Sequence, residues 1–113
     1  MATLDMGTPK IILHLTVRTL PGCGEEFVHF LQKAVPFYEE MPGVKVRLLS
    51  DLNDPDSFIE VIEYEDHTVY ESDQARVQKD PTMKQYLSKW RLLLKEAPHV
   101  RAFADHTYRL ALT

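Results

Sequence analysis

The sequence predicts an α+β domain, a four-stranded antiparallel sheet with helices on one face. Three observations carry that prediction. Apolar residues alternate with a period of two in four segments. Between the first and second segments, and again between the third and fourth, they recur at helical spacing. A single break, Asp80-Pro81, divides the second helical region. The order is strand, helix, strand, strand, helix, strand, two βαβ-type units whose crossovers are right-handed.

Residues 1–9 read as a loose arm with Gly7 and Pro9, ahead of a single domain over residues 10–113. In the first strand, Lys10 to Arg18, Ile11, Leu13, Leu15 and Val17 form a wholly apolar face. Ile12, His14, Thr16 and Arg18 form a mixed one. Pro21-Gly22-Cys23-Gly24 is a turn. The first helix, Glu25 to Glu40, carries Phe27, Phe30, Leu31, Ala34, Val35 and Tyr38 on one stripe. Glu25 and Glu26 suit its positive end. Pro36 removes the hydrogen bond to the Gln32 carbonyl and is expected to kink or loosen the last turn. Met41-Pro42-Gly43 stops the helix.

The second strand, Val44 to Leu49, sets Val44, Val46 and Leu48 against Lys45, Arg47 and Leu49. A turn rich in Asp, Asn and Pro covers Asp51 to Asp56. In the third strand, Ser57 to Glu65, Ile59 and Val61 are the cleanest apolar pair, and Phe58, Glu60, Ile62 and Tyr64 make a mixed face. Thr68 and Glu71 fit a capping box at the next helix start. Asp80 and Pro81 fit the N-cap and first position of another helix. That helix has Met83, Tyr86, Leu87, Trp90, Leu93 and Leu94 on one side and ends at Ala97-Pro98. Val100 to Leu110 is the last strand.

The simplest assembly is ferredoxin-like, with both helical regions on one face of the sheet. The other face is then expected to carry Ile12, His14, Thr16, Lys45, Arg47, Phe58, Glu60, Ile62 and Tyr64. Such a face is too apolar for water and too polar for an ordinary core. Packing against its symmetric copy explains it, so a homodimer through the open sheet face is expected, with Ile62 toward the partner.

The bulk properties narrow the function classes. A chain of 113 residues, 44% apolar, makes one domain with little interior to spare, so a second subunit would help complete a cavity. The net charge is −4 and the basic residues form no blocks, which argues against nucleic acid as a partner. No apolar run approaches the ~20 residues of a membrane span, and MATLDMGTPK has no apolar signal core. One cysteine, Cys23, allows no internal disulfide and fits a cytoplasmic protein.

Three stretches, LHLTVRTLPG, PGVKVRLLSDLNDPDSFIEVIEYED and DPTMKQYLSKW, resemble the dimeric α/β-barrel superfamily. Within it the chain is most similar to the antibiotic biosynthesis monooxygenase family. Pro42-Gly43 before the second strand, Glu63-Tyr64-Glu65 at the end of the third and the Asp80-Pro81 break carry the likeness over roughly Ile11 to Leu110. The resemblance implies a dimer with facing sheets, and a pocket either between sheet and helices or along the barrel lumen. It implies a cofactor-free monooxygenase acting on a small aromatic molecule, whose carbanion reduces dioxygen directly. The alternative is a non-catalytic binder or structural dimer. The haem-degrading branch uses Asn, Trp and His where this chain has residues near His14, Tyr64 and near Tyr86, so haem degradation is not expected.

Two residues are candidate catalytic groups. His14, an imidazole, could act as base, or could simply sit hydrogen-bonded at the dimer interface. Tyr64 could hold a developing oxyanion, or could pack at the strand end with a wet hydroxyl. Four are candidate substrate-binding groups: Arg47, Glu60, Tyr86 and Trp90. A buried Glu60 needs a partner, and Arg47 on the adjacent strand is the expected one, in a structural pair or a carbonyl-orienting one. Tyr86 and Trp90, spaced i, i+4, could line an aromatic pocket or serve as core. His29, His67, His99 and His106 show no metal-ligand spacing, and no cofactor is expected.

Overall fold

The structure is a computed structural model that describes residues 8–112, so residues 1–7 of the expected arm lie outside it. The elements run β1 (Lys10–Arg18), α1 (Gly24–Tyr38), β2 (Val44–Asp51), β3 (Asp54–Tyr64), α2 (His67–Lys79), α3 (Pro81–Leu92) and β4 (His99–Asp105). A short 3-10 helix over Thr107–Leu112 follows. The sheet order is β2-β3-β1-β4, and every neighbouring pair is antiparallel. This is the ferredoxin-like α+β arrangement, with the helical region after β3 split into α2 and α3.

Local chemistry fixes the element ends. The turn before α1 is held by Asp56, whose carboxylate oxygens accept from Gly22 N at 3.0 Å and Gly24 N at 3.2 Å. A Cβ on Gly24 would lie 2.3 Å from the Pro55 carbonyl oxygen, so this position has room only for glycine. Helix α1 runs unbroken through Pro36, because a proline in the last turn forfeits only one hydrogen bond. The Thr68 capping box does not form. Asp66 caps α2 instead, its Oδ1 accepting from Val69 N at 2.9 Å, and the helix starts before Thr68. Asp80 and Pro81 behave as expected, with Asp80 Oδ1 accepting from Thr82 N at 2.8 Å and Met83 N at 3.1 Å. Strand β4 is shorter than expected. Asp105 accepts from Thr107 N at 2.9 Å and from its hydroxyl at 2.6 Å, which turns the chain into the 3-10 helix.

The register of β3 corrects the expected faces. Leu15 and Leu48 flank Glu60, and Leu13 and Val46 flank Ile62. Phe58, Glu60, Ile62 and Tyr64 therefore share the helix-covered face, while Ile59, Val61 and Glu63 share the open face with His14 and Arg47. The larger residues of the mixed set decide the facing. Phe58 joins the main core with Phe27, Leu31 and Trp90, and Tyr64 packs with Leu13 and Val44. Ile62 thus points to the helices, not to a partner.

The open face keeps a mixed character. His14 packs on Phe103 with ring centroids 4.9 Å apart, and the Arg101 guanidinium lies 5.1 Å from the same ring. Phe103 and Leu49 remain exposed there.

Candidate functional site

A cavity of about 210 Å3 lies between the inner sheet face and helices α2 and α3. Its walls are mostly aliphatic, including Leu13, Leu15, Val46 and Ile62 from the sheet and Met83 and Leu87 from α3. That size falls below the roughly 300–1,000 Å3 of drug-sized pockets and suits a small ligand. Two polar centres interrupt the apolar wall.

The first centre is Glu60, only 3% exposed in the middle of β3. Its Oε1 accepts from Trp90 Nε1 on α3 at 2.6 Å. No cation pairs with it among the described residues. Its Oε2 takes part in no hydrogen bond, yet no sealed-in side-chain polar atom among the described residues lacks a partner. Oε2 therefore faces open cavity space. Burial pushes the Glu60 carboxyl up to about 7, and the Trp90 N–H opposes that shift by favouring the anion.

The second centre links one strand and two helices, β3, α1 and α2. The Tyr64 hydroxyl donates to Asp73 Oδ2 at 2.6 Å. Arg76 donates to Asp73 Oδ1 through Nε at 3.0 Å, and its Nη2 stands 2.8 Å from the same oxygen in an ion pair. The same guanidinium reaches the Phe37 and Tyr38 carbonyls at the end of α1, at 3.3 and 2.7 Å. It thereby gives the Tyr38 carbonyl, which the helix end leaves open, a donor, and adds a second donor to Phe37 beside the Glu40 N–H. Burial and the neighbouring Asp73 hold the Tyr64 hydroxyl far above its usual range, so it stays neutral. Burial, with Glu60 nearby, does the same for Tyr38.

Of the six expected site residues, the fold brings Glu60, Tyr64 and Trp90 to the cavity. Tyr86 stands behind its wall, stacked on Phe37 at 5.2 Å and edge-on to Tyr38 at 6.0 Å. His14 and Arg47 lie on the opposite sheet face, in register with Val61. The expected Glu60–Arg47 pair does not form, nor does a His14–Glu60 contact, since successive strand residues point to opposite faces. The Tyr64 hydroxyl is not wet but buried against Asp73. Sequence reasoning missed Tyr38, Asp73 and Arg76. Tyr38 read only as part of the apolar stripe of α1, and the only signal for Asp73 and Arg76 was an acid and a base spaced i, i+3 on a helix without such a stripe.

No group of three His, Cys, Asp or Glu side chains among the described residues is placed to hold a metal ion. No described helix is long and apolar enough to cross a membrane.

No family model matches the sequence, and no curated protein matches it significantly. Solved structures do match the fold. SnoaB, a cofactor-independent oxygenase from Streptomyces nogalater, superposes with a TM-score of 0.72 at 15% identity, over 86% of this chain and 93% of that one. A presumed antibiotic biosynthesis monooxygenase from Nitrosomonas europaea gives 0.74 at 12% identity, over 88% and 93%. Another from Bordetella bronchiseptica gives 0.72 at 16% identity, over 86% and 97%. The fold is thus the one that antibiotic biosynthesis monooxygenases use, over nearly the full length of both chains. At these identities the likeness is one of architecture.

Proposed function

We infer that the chain binds a small aromatic molecule in the cavity between sheet and helices and oxidises it with dioxygen, without a cofactor. The observation that supports this reading most is the largely apolar cavity, open on one side, with a single carboxyl oxygen left free toward it. The shared fold with a cofactor-independent oxygenase adds to it. The cavity would exclude water and hold the ring against Trp90 and Tyr64. Loss of a substrate proton would leave a carbanion able to reduce dioxygen, so that a methylene becomes a carbonyl and the second oxygen atom leaves as water. The homodimer would use the open sheet face, with Ile59 rather than Ile62 toward the partner.

A second reading, a non-catalytic binder, draws on the Tyr64–Asp73–Arg76 centre, whose polar groups satisfy one another and leave little for chemistry. An oxygen electrode and calorimetry with two- and three-ring hydroxyaromatics separate the two. Uptake of oxygen that depends on protein supports the enzyme; saturable binding without uptake supports the binder; neither result leaves the cavity without a ligand role. For the assembly, sedimentation of Ile59→Asp should show monomer where the wild type shows dimer. A dimer unchanged by that charge would refute the facing.

A further inference from the structure

We propose that Glu60 is the proton acceptor of the cavity, receiving through Oε2 the hydroxyl proton of a bound hydroxyaromatic. This rests on the cavity being the ligand site, and it names both the acting group and the feature the ligand must carry. The carboxyl is almost wholly buried, is tethered through one oxygen by the Trp90 indole, and turns its other oxygen to empty space. Trp90 fixes the carboxyl while leaving that oxygen free, which is the arrangement a positioned base requires.

The surrounding groups leave no rival. Strands β1 and β2 present Leu15 and Leu48 beside Glu60. Strand β4 contributes Val100 to the cavity. Helix α2 contributes Asp73 and Arg76, which neutralise each other, and Tyr64 is committed to Asp73. Tyr38 from α1 and Tyr64 are held neutral by burial. From α3 come Trp90, Met83 and Leu87, none of them titratable, while Tyr86 turns to α1. His14 lies across the sheet. In the step itself the ligand O–H bond breaks, its electron pair stays on the ligand oxygen, and the proton moves to Oε2. Glu60, poised near neutrality, is ionised in part at pH 7 and becomes a better acceptor as pH rises.

The test compares 2-naphthol with 2-methoxynaphthalene, which has the same rings but no proton to give. Binding is measured by calorimetry from roughly pH 5 to pH 8, on either side of the carboxyl's midpoint. Wild-type affinity for 2-naphthol should rise about tenfold or more over that range, as expected for a hydrogen bond to a charged acceptor. Affinity for the methoxy compound should not rise. Glu60→Gln keeps an oxygen for Trp90 but turns an amide donor to the cavity, and should abolish the rise. Trp90→Phe removes the donor that favours the anion and should move the rise to higher pH. The assignment is overturned if the two ligands share one pH profile in the wild type, or if Glu60→Gln keeps the rise. If Glu60→Gln does not fold, the wild-type ligand pair and Trp90→Phe still decide. Equal binding of both ligands at every pH leaves the cavity as the site and removes Glu60 from its role. Binding of neither removes the cavity reading too.

Discussion

The cavity holds two buried polar centres that are built in opposite ways. Around Asp73, both oxygens have a partner: Tyr64 takes one, Arg76 the other, and Arg76 also donates to two α1 carbonyls. Around Glu60 there is one hydrogen bond and no opposite charge. Burying a carboxylate is costly, and the two centres meet that cost differently. The first pairs the charge and ties α2 to α1 and β3. The second lets the carboxyl hold its proton up to about pH 7 and keeps an oxygen unspent. A fully satisfied network reads as architecture, and a half-used carboxyl beside empty space reads as a site.

The largest effect is expected from breaking the satisfied centre. Arg76→Ala would leave Asp73 buried without its cation and strip the Tyr38 carbonyl of its side-chain donor, while Phe37 keeps the Glu40 N–H. A loss of about 3–5 kcal/mol in urea denaturation is expected, as for other buried pairs broken on one side. A loss below about 1 kcal/mol, the range of surface pairs, would mean that the centre is wetter than its geometry indicates.

The half-used centre predicts a pH dependence of opposite sign to that of a paired carboxylate. A carboxyl whose folded value is raised binds more protons folded than unfolded, so its contribution is complete below the ordinary 4.5 and is lost as pH rises through about 7. The gap corresponds to about 3 kcal/mol. Glu60→Gln should remove that slope and be more stable than wild type at pH 8 but not at pH 4. Parallel unfolding curves for the two proteins across this range would show that Glu60 is not desolvated.

The fold was largely legible in the sequence because helices and strands announce themselves by period, and Asp80-Pro81 by its cap chemistry. The site was legible only in part. The facing of β3 turned on whether Ile59 and Val61 or Phe58 and Tyr64 went inward, and a period of two fits both answers. Small apolar residues made the first set look like core. The aromatic set won because Trp90 and Asp73 supply partners for Glu60 and Tyr64 from helices distant in sequence. Alternation within a strand carries no information about such partners. Asp73 and Arg76 were hidden for the same reason: on a polar helix, a buried pair and a solvated pair read alike.

The smallest effect is expected at Tyr64, and it decides whether the two centres are separate. Tyr64→Phe removes one hydroxyl and leaves the ring against Leu13 and Val44. Asp73 loses one donor but keeps Arg76, so the cost should be about 1–2 kcal/mol by urea denaturation, the range for an acceptor left short of one bond. Ligand affinity should change less than about threefold, which is under 1 kcal/mol, because the hydroxyl is spent on Asp73 and does not reach the cavity as a donor. A larger loss of affinity or of oxygen uptake, with stability preserved, would give Tyr64 the oxyanion-holding role and make its bond to Asp73 one that the ligand displaces. Since Tyr64 lies one turn of the pleat beyond Ile62 from Glu60, on the same face of β3, that outcome would join the two centres into one site.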